Sequence, residues 1–342
     1  MTGRYPWRFG VQYTPTPGAL AAVIGGLGSG AGNLPPSVID KDKASRAKGF
    51  DELGMPASEQ TLAELVRAQG YHTLHIGKWH LGQSTAMRPN NQGFDESLNL
   101  EGLLYWAKNS PDVVNATQDF DPIDKFLWGN GRESVSFNGG KQFKPAKYIT
   151  DYFTDEAVKV IRTNKNRPFL LYLAHWGVHS PLQASKADYD ALSNIPDHRR
   201  RVYAAMVRSV DRSVGRVLQT LREEGLDDNT IVIFTSDNGG LSRVTKNAPL
   251  REGKGAPYEG GIRVPLIVRW PGQIPAGTAS QQPVSVQDLF PTLAAAAGLG
   301  RLVDLRDDHG LRQVVGLAAV HADHHGGLGG QLVGAAVDFK HA

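Results

Sequence analysis

The sequence predicts an α/β fold, a mostly parallel sheet with helices on both faces. Two observations predict it. A segment of helical apolar spacing is followed by a short strand-like run three times along the chain, and glycines stand where two of the three helices should stop.

The first unit is Glu59–Gln69, with Leu62, Leu65 and Val66 on one helical face, Gly70 as the stop and Tyr71–Ile76 as the strand. Residues 96–147 lack clear periodicity and are rich in Asn, Asp and Gly, as expected of a long excursion at one sheet edge. The second unit places Ala157, Val158 and Ile161 in helical spacing within Thr154–Thr163, before the strand Phe169–Ala174. The third and longest is Val202–Glu224, with Met206, Val210, Val214, Val217 and Leu221 three or four residues apart. Gly225 ends it and Thr230–Phe234 follows as a strand. Val264–Trp270 is a further strand, and Leu289–Ala297 a helix with Asp288 as its cap. The expected organisation is one domain over 1–298, with an atypical Gly/Pro-rich stretch at 9–54, and an atypical Gly-, His- and Ala-rich tail at 299–342.

Composition narrows the function. The 342 residues carry 37 basic and 34 acidic side chains, a net +3 too balanced to point to nucleic acid. The run His198 to Arg201 opens a helix-like segment and reads as a solvated face. The chain has no cysteine, which removes disulfides, thiolate metal sites and cysteine nucleophiles together. Phe9 to Ile39 is free of charge, but Gly, Pro, Asn and Ser interrupt it too often for a membrane span. Arg4 and Arg8 before Ala19–Leu27 faintly mimic a signal peptide.

In an open parallel sheet, functional groups collect at the carboxyl ends of the strands. Three strands run into polar clusters there: Gly77-Lys78-Trp79-His80, His175-Trp176-Gly177-Val178-His179-Ser180-Pro181 and Ser236-Asp237-Asn238-Gly239-Gly240. A fourth cluster, from Gly253-Lys254-Gly255 to Arg263, precedes a strand. Taken singly, each has a bland reading. Lys78 or Lys254 is a surface lysine, Asp237-Asn238-Gly239 a turn, and His80 or His179 a hydrogen-bonded structural histidine. Taken together they are the parts that a tetrahedral oxyanion ester requires. These are cations for its oxygens, a proton donor for the departing alcohol and oxygen ligands for a hard metal.

The stretch Gly70-Tyr71-His72-Thr73-Leu74-His75-Ile76-Gly77-Lys78-Trp79-His80 resembles the second signature of the sulfatases, members of the alkaline phosphatase superfamily. Gly93-Phe94-Asp95, Ser236-Asp237-Asn238-Gly239, Tyr258-Glu259-Gly260-Gly261-Ile262-Arg263-Val264-Pro265 and Gln287-Asp288-Leu289-Phe290-Pro291-Thr292-Leu293 resemble further family blocks, in the expected order. The resemblance covers roughly residues 55 to 298 and part of the N-terminus. It implies an alkaline phosphatase-like sheet and metal-assisted hydrolysis of sulfate monoesters, the substrate being a small-molecule or sugar sulfate ester. By the same resemblance, Asp237 and Asn238 are metal ligands, usually to Ca2+, and Lys78 and Lys254 grip the sulfate. Lys254 also stands near the leaving oxygen, His179 protonates it and His80 assists sulfate release; His175 is a neighbour without an assigned role.

The family nucleophile is a formylglycine made from Cys or Ser in a Cys- or Ser-x-Pro-Ser-Arg motif, which these residues do not contain. Met1-Thr2-Gly3-Arg4 resembles the tail of that signature. The expectation is therefore a domain incomplete at its N-terminus, short of the first strand and half its metal ligands, with little or no turnover as given. Ala44-Ser45-Arg46 echoes the motif without its proline and reads as a surface loop.

Other readings stay open. A related site could act on phosphonate or phosphate monoesters, or the chain could be a non-catalytic sulfatase remnant. The glycines of 25–32 mimic a dinucleotide-binding turn, but Asn33, Pro35 and Pro36 forbid the helix it needs. His321-Ala322-Asp323-His324-His325 could bind a transition metal, though its histidines lack a spacing that places them on one face. Neither the particular ester, the oligomeric state nor the localisation is legible; a periplasmic or secreted location is implied by resemblance alone.

Overall fold

A computed structural model of the chain describes residues 1–11, 22, 40–46, 48–299 and 335–337. The readings placed on the glycine-rich patch at 25–32 and on His321–His325 lie outside the described residues.

Thr61 opens helix α1 (Leu62–Ala68) with a reciprocal cap, its hydroxyl accepting from the Glu64 amide and the Glu64 carboxylate accepting from the Thr61 amide. Strand β1 (His72–Gly77) follows, shifted by one residue from the expected run. The span 96–147 departs from the expectation of an edge excursion. It contributes β2 (Glu96–Leu100), β3 (Val113–Ala116), α2 (Pro122–Asn130) and β4 (Val135–Phe137), and β2 is an interior strand. Polarity hides it. Ser97 is buried, and its backbone and hydroxyl are satisfied by Asn138 and Asn90, so no apolar alternation marks the strand.

Helix α3 (Ile149–Asn164), β5 (Phe169–Ala174), β6 (Leu182–Ser185), α4 (His198–Glu223), β7 (Val232–Thr235) and β8 (Leu266–Arg269) then run in order. Asp197 caps α4 through the Arg200 amide. Helix α5 (Leu289–Ala296) is not capped by the Asp288 side chain; that carboxylate accepts from the Ser285 amide one turn earlier. Short strands β9 (Ala279–Ser280) and β10 (Ala335–Val337) complete the second sheet.

The first sheet has the order β4-β2-β1-β5 and is parallel except at β4. The second has the order β7-β8-β10-β9 and begins with an antiparallel pair. Helices cover both faces of the first sheet. Leu74 and Ile76 of β1 stand opposite Leu171 and Leu173 of β5, and Ile76, Leu171 and Leu173 pack with α3 and α4. Leu170 points the other way, against Leu62, Leu65 and Val66 of α1 and Phe290 of α5. Fully burying each such side chain contributes about 1.5–3 kcal/mol.

Candidate active site

The carboxyl ends of β1, β5 and β7 meet at one cavity of about 480 Å³, within the usual size for small-ligand sites. Lys78, His80, His179, Lys254, Asp237 and Asn238 all line it. The six residues singled out from sequence, from Lys78 to Lys254, are therefore brought together.

Local backbone geometry explains each placement. At the end of β1, Gly77 adopts φ +118, and a Cβ there would fall 1.8 Å from the Ala174 carbonyl oxygen. Only glycine admits β5 so close, and the same oxygen accepts the Lys78 amide at 2.8 Å. Lys78 thus leaves the sheet at its edge, with Nζ 3.8 Å from Asp237 Oδ2 and 5.5 Å from the centre of the Trp176 ring. Gly239 repeats the device, since a Cβ would lie 1.8 Å from the Gly260 carbonyl oxygen. The Asp237-Asn238 turn is thereby laid against Gly260 and Gly261, with the Gly239 amide donating to Gly261 O at 2.9 Å.

Burial lowers the Lys78 pKa from the ordinary lysine value, and Asp237 opposes the shift. Lys254 is lowered too, first by loss of water around its ammonium and then by the Lys78 charge. The Lys254 residue as a whole remains exposed, so that loss of water is partial. Two ammonium groups near enough to repel each other need an anion between them or beside them.

His179 stacks on Trp176, ring centres 4.2 Å apart, and its Nδ1 lies 2.6 Å from the Ser180 carbonyl. A carbonyl only accepts, so the neutral ring carries its hydrogen on Nδ1 and presents Nε2 as the atom that takes or, once charged, gives a proton. His80 reaches the same cavity from an exposed position. His175, left without a role by the sequence, is buried, and its Nε2 pairs with Ser213 Oγ at 2.8 Å.

Two supporting residues carry no sequence signal. Tyr105 is fully buried and places its hydroxyl 2.9 Å from the Trp176 carbonyl and 2.7 Å from that of His179. Gln118, also fully buried, donates from Nε2 to Ser180 Oγ at 2.7 Å and is itself braced by Asp124. Both come from the aperiodic stretch 96–147. Ser45, by contrast, is an exposed helical residue bonded to the Asp42 carbonyl and does not line this cavity.

As a metal centre the set is partial. Asp237 and Asn238 offer side-chain oxygens, and Asn238 Nδ2 lies 2.6 Å from Asp237 Oδ1. Calcium takes six to eight oxygens, and among the described residues no group of three or more His, Cys, Asp or Glu gathers to supply them. The donor set present does not by itself fit the ion.

Comparison with known proteins accords with this geometry. The family model described as Sulfatase matches residues 41–299. N-acetylgalactosamine-6-sulfatase of Mus musculus is 36% identical over 256 residues, covering 72% of this chain and 46% of that protein. Steryl-sulfatase of Mus musculus is 31% identical over 327 residues, covering 74% and 51%. The crystal structure of Ps i-CgsB in complex with k-i-k-neocarrahexaose superposes with a TM-score of 0.68 at 34% identity, covering 87% of this chain and 59% of that one. The chain thus spans about half the length of the curated relatives it matches. Among the described residues no helix is long and apolar enough to cross a membrane. The fold, the order of its strand-end clusters and these matches place the chain in the sulfatase family of alkaline phosphatase-like proteins.

Proposed function

We propose that this chain carries the sulfate-gripping and proton-donating side of a sulfate monoester hydrolase site, and that its substrates are sulfated sugars. The observation that supports the reading is the convergence of Lys78, Lys254, His80, His179, Asp237 and Asn238 on one cavity of about 480 Å³. Lys78 and Lys254 hold the sulfate oxygens and cancel charge that grows there as the ester bond breaks. His179, charged when its Nε2 is protonated, gives that proton to the departing sugar oxygen. Its Nδ1 contact to Ser180 and its stacking on Trp176 keep the ring in register. His80 assists release of sulfate from the nucleophile.

Asp237 and Asn238 form one edge of a divalent-cation site, for which calcium is the ion implied by the family. When complete, such a site neutralises sulfate charge. The oxygens present here fall short of it, and no step is assigned to it. The sugar class rests on the relatives, which include an N-acetylgalactosamine-6-sulfatase and a structure holding a neocarrahexaose.

The test is a calorimetric titration of the 342-residue chain with N-acetylgalactosamine 6-sulfate, the unsulfated sugar and the matching 6-phosphate. Sulfate-selective binding, weakened in Lys78→Ala and Lys254→Ala, supports the proposal. Equal affinity for the unsulfated sugar would falsify it, and preference for the phosphate would move the site to the phosphoester class. The Cys- or Ser-x-Pro-Ser-Arg motif does not occur in these 342 residues, so the polypeptide is expected to bind the ester without hydrolysing it.

A further inference from the structure

The basic run that opens α4, expected from sequence to be a solvated face, divides in the structure. His198 is bonded to the Tyr189 hydroxyl and the Asn115 carbonyl, and Arg201 lies over the Tyr189 ring at 3.9 Å. Arg199 turns instead to Phe120, its guanidinium carbon 5.2 Å from the ring centre. Arg243 reaches the same ring from the loop after Asp237-Asn238, at 5.1 Å. The two guanidinium carbons therefore stand no more than about 10 Å apart, both drawn to the negative π-face of one half-buried phenylalanine.

Neither arginine is neutralised within the protein. Among the described residues no carboxylate comes within ion-pair distance of Arg199 or Arg243, although Asp119 and Asp121 flank Phe120 in the chain. Asp121 is engaged elsewhere: its carboxylate accepts from the Ile123 amide, and its charge favours the ammonium form of Lys254. Arg199 is half-buried and its Nε is fully buried without a hydrogen-bond partner. A permanently charged group has thus been drawn out of water with no counter-charge, a cost that an arriving anion offsets.

The pair is tied to the sulfate-binding cavity from three sides. Arg199 stands one helical turn before Tyr203, which lines the cavity, and Arg243 lies between Leu241 and Val244, which line it too. Phe120 follows Gln118, whose side chain donates to Ser180 Oγ at 2.7 Å, and Ser180 lines the same cavity.

We infer that Arg199 and Arg243, set on Phe120, form a second anion subsite that takes an oxyanion, carboxylate or sulfate, on the sugar next to the sulfated one. The inference rests on the sulfate-sugar reading proposed above and adds to it a requirement for a second charge. The guanidinium fork matches both oxyanions with two parallel N–H bonds, which a lysine ammonium does not. Phe120 fixes where the forks stand and leaves their donors unspent, since a cation over a ring uses no hydrogen bond. The two cation pairs then divide the work, Lys78 and Lys254 holding the ester and the arginines selecting its neighbour.

The test is a calorimetric titration of the 342-residue chain with N-acetylgalactosamine 6-sulfate and three disaccharides built on it. In these the second sugar is neutral, carries a carboxylate or carries a sulfate. The expected result is a gain of about tenfold from the second anion over the neutral disaccharide. Arg199→Gln and Arg243→Gln should each remove most of that gain and leave affinity for the monosaccharide within about twofold. Both variants keep Phe120 and break no bond to a described residue, so they are expected to fold. Arg200→Gln, at an exposed neighbour on the same helical turn, should leave the gain in place. A gain confined to one of the two anionic disaccharides supports the inference and names its anion. Absence of a gain, a gain that survives both arginine variants, or an equal loss in Arg200→Gln overturns it, while sulfate-selective binding of the monosaccharide leaves the underlying reading standing. Monosaccharide binding without preference for sulfate overturns that reading and the subsite with it.

Discussion

Tyr105 and His179 are 74 residues apart, yet the Tyr105 hydroxyl lies 2.7 Å from the His179 carbonyl, inside the protein. The same hydroxyl is 2.9 Å from the Trp176 carbonyl. Its one hydrogen serves one oxygen at a time, so the contact is shared across the loop that carries His179. Trp176 and Ser180 of the loop itself hold the His179 ring, but its backbone has a second hold from outside the loop. It is fastened from beneath by a residue of the stretch 96–147.

Tyr105→Phe keeps the ring stacked on Tyr148 and removes only the hydroxyl. The Trp176 carbonyl keeps the His179 amide as a donor at 2.9 Å, so the loss falls on the His179 carbonyl and should cost about 1–3 kcal/mol of stability. Chemical denaturation measures that cost. Hydrogen exchange should show faster opening at residues 177–180 with little change in α4. A loss of stability spread evenly over the domain would mean that Tyr105 is ordinary core.

The turn Asp237-Asn238 depends on glycine facing glycine. In Gly239→Ala the new methyl would meet the Gly260 carbonyl at 1.8 Å, and neither backbone is free to yield. The expected outcome is a destabilisation of more than about 2 kcal/mol, or a displaced turn with weaker binding of the sulfated sugar. Gly255→Ala, where the Cβ meets nothing within 4 Å but φ is +90, should cost less, near the ~1 kcal/mol of a strained φ. Comparable effects of the two substitutions on both stability and sugar affinity would discount the close approach.

The six candidate site residues were legible because each follows a strand or precedes one, and polar clusters at strand ends stand out against apolar runs. Their supports were not. Tyr105 and Gln118, like Ser97 of β2, make long-range hydrogen bonds, so no local period reveals them. Nor does apolar spacing encode strand direction: β8, expected only as a further strand, pairs antiparallel to β7. Asp288 stands at the expected cap position, but the capping box of the preceding turn, with Ser285, takes its carboxylate.

Two buried histidines make stability fall with acid. Burial depresses His75 from 6.5 to about 4, opposed by its contact to the Lys78 carbonyl, and burial alone depresses His175 to about 4. Between those values the unfolded chain binds protons that the folded chain refuses. Their contribution is intact above pH 6.5 and is lost as pH falls towards 4. Linkage puts the loss at about 3 kcal/mol for each. Urea unfolding from pH 7 to pH 4.5 should show the decline, and His175→Gln should flatten it. An unchanged slope in that variant would remove His175 from the account.

The lysine pair should set an alkaline limit on sulfate binding. Both ammonium groups are easier to deprotonate than an ordinary lysine, Lys78 and Lys254 alike through burial. Affinity for a sulfated sugar should therefore fall as pH rises, starting below the pH at which a surface lysine loses its charge. Binding the anion favours the charged forms, so titrations near that limb should take up protons, measurable as a dependence on buffer ionisation enthalpy. Lys78→Met removes the like charge that helps to depress Lys254, and the remaining limb should move to higher pH. It should also weaken binding at neutral pH about tenfold or more, as loss of a charged contact to an anion does. An alkaline limb that stays in place in Lys78→Met would show that the two ammonium groups do not interact, and that Lys254 is tuned by its surroundings alone.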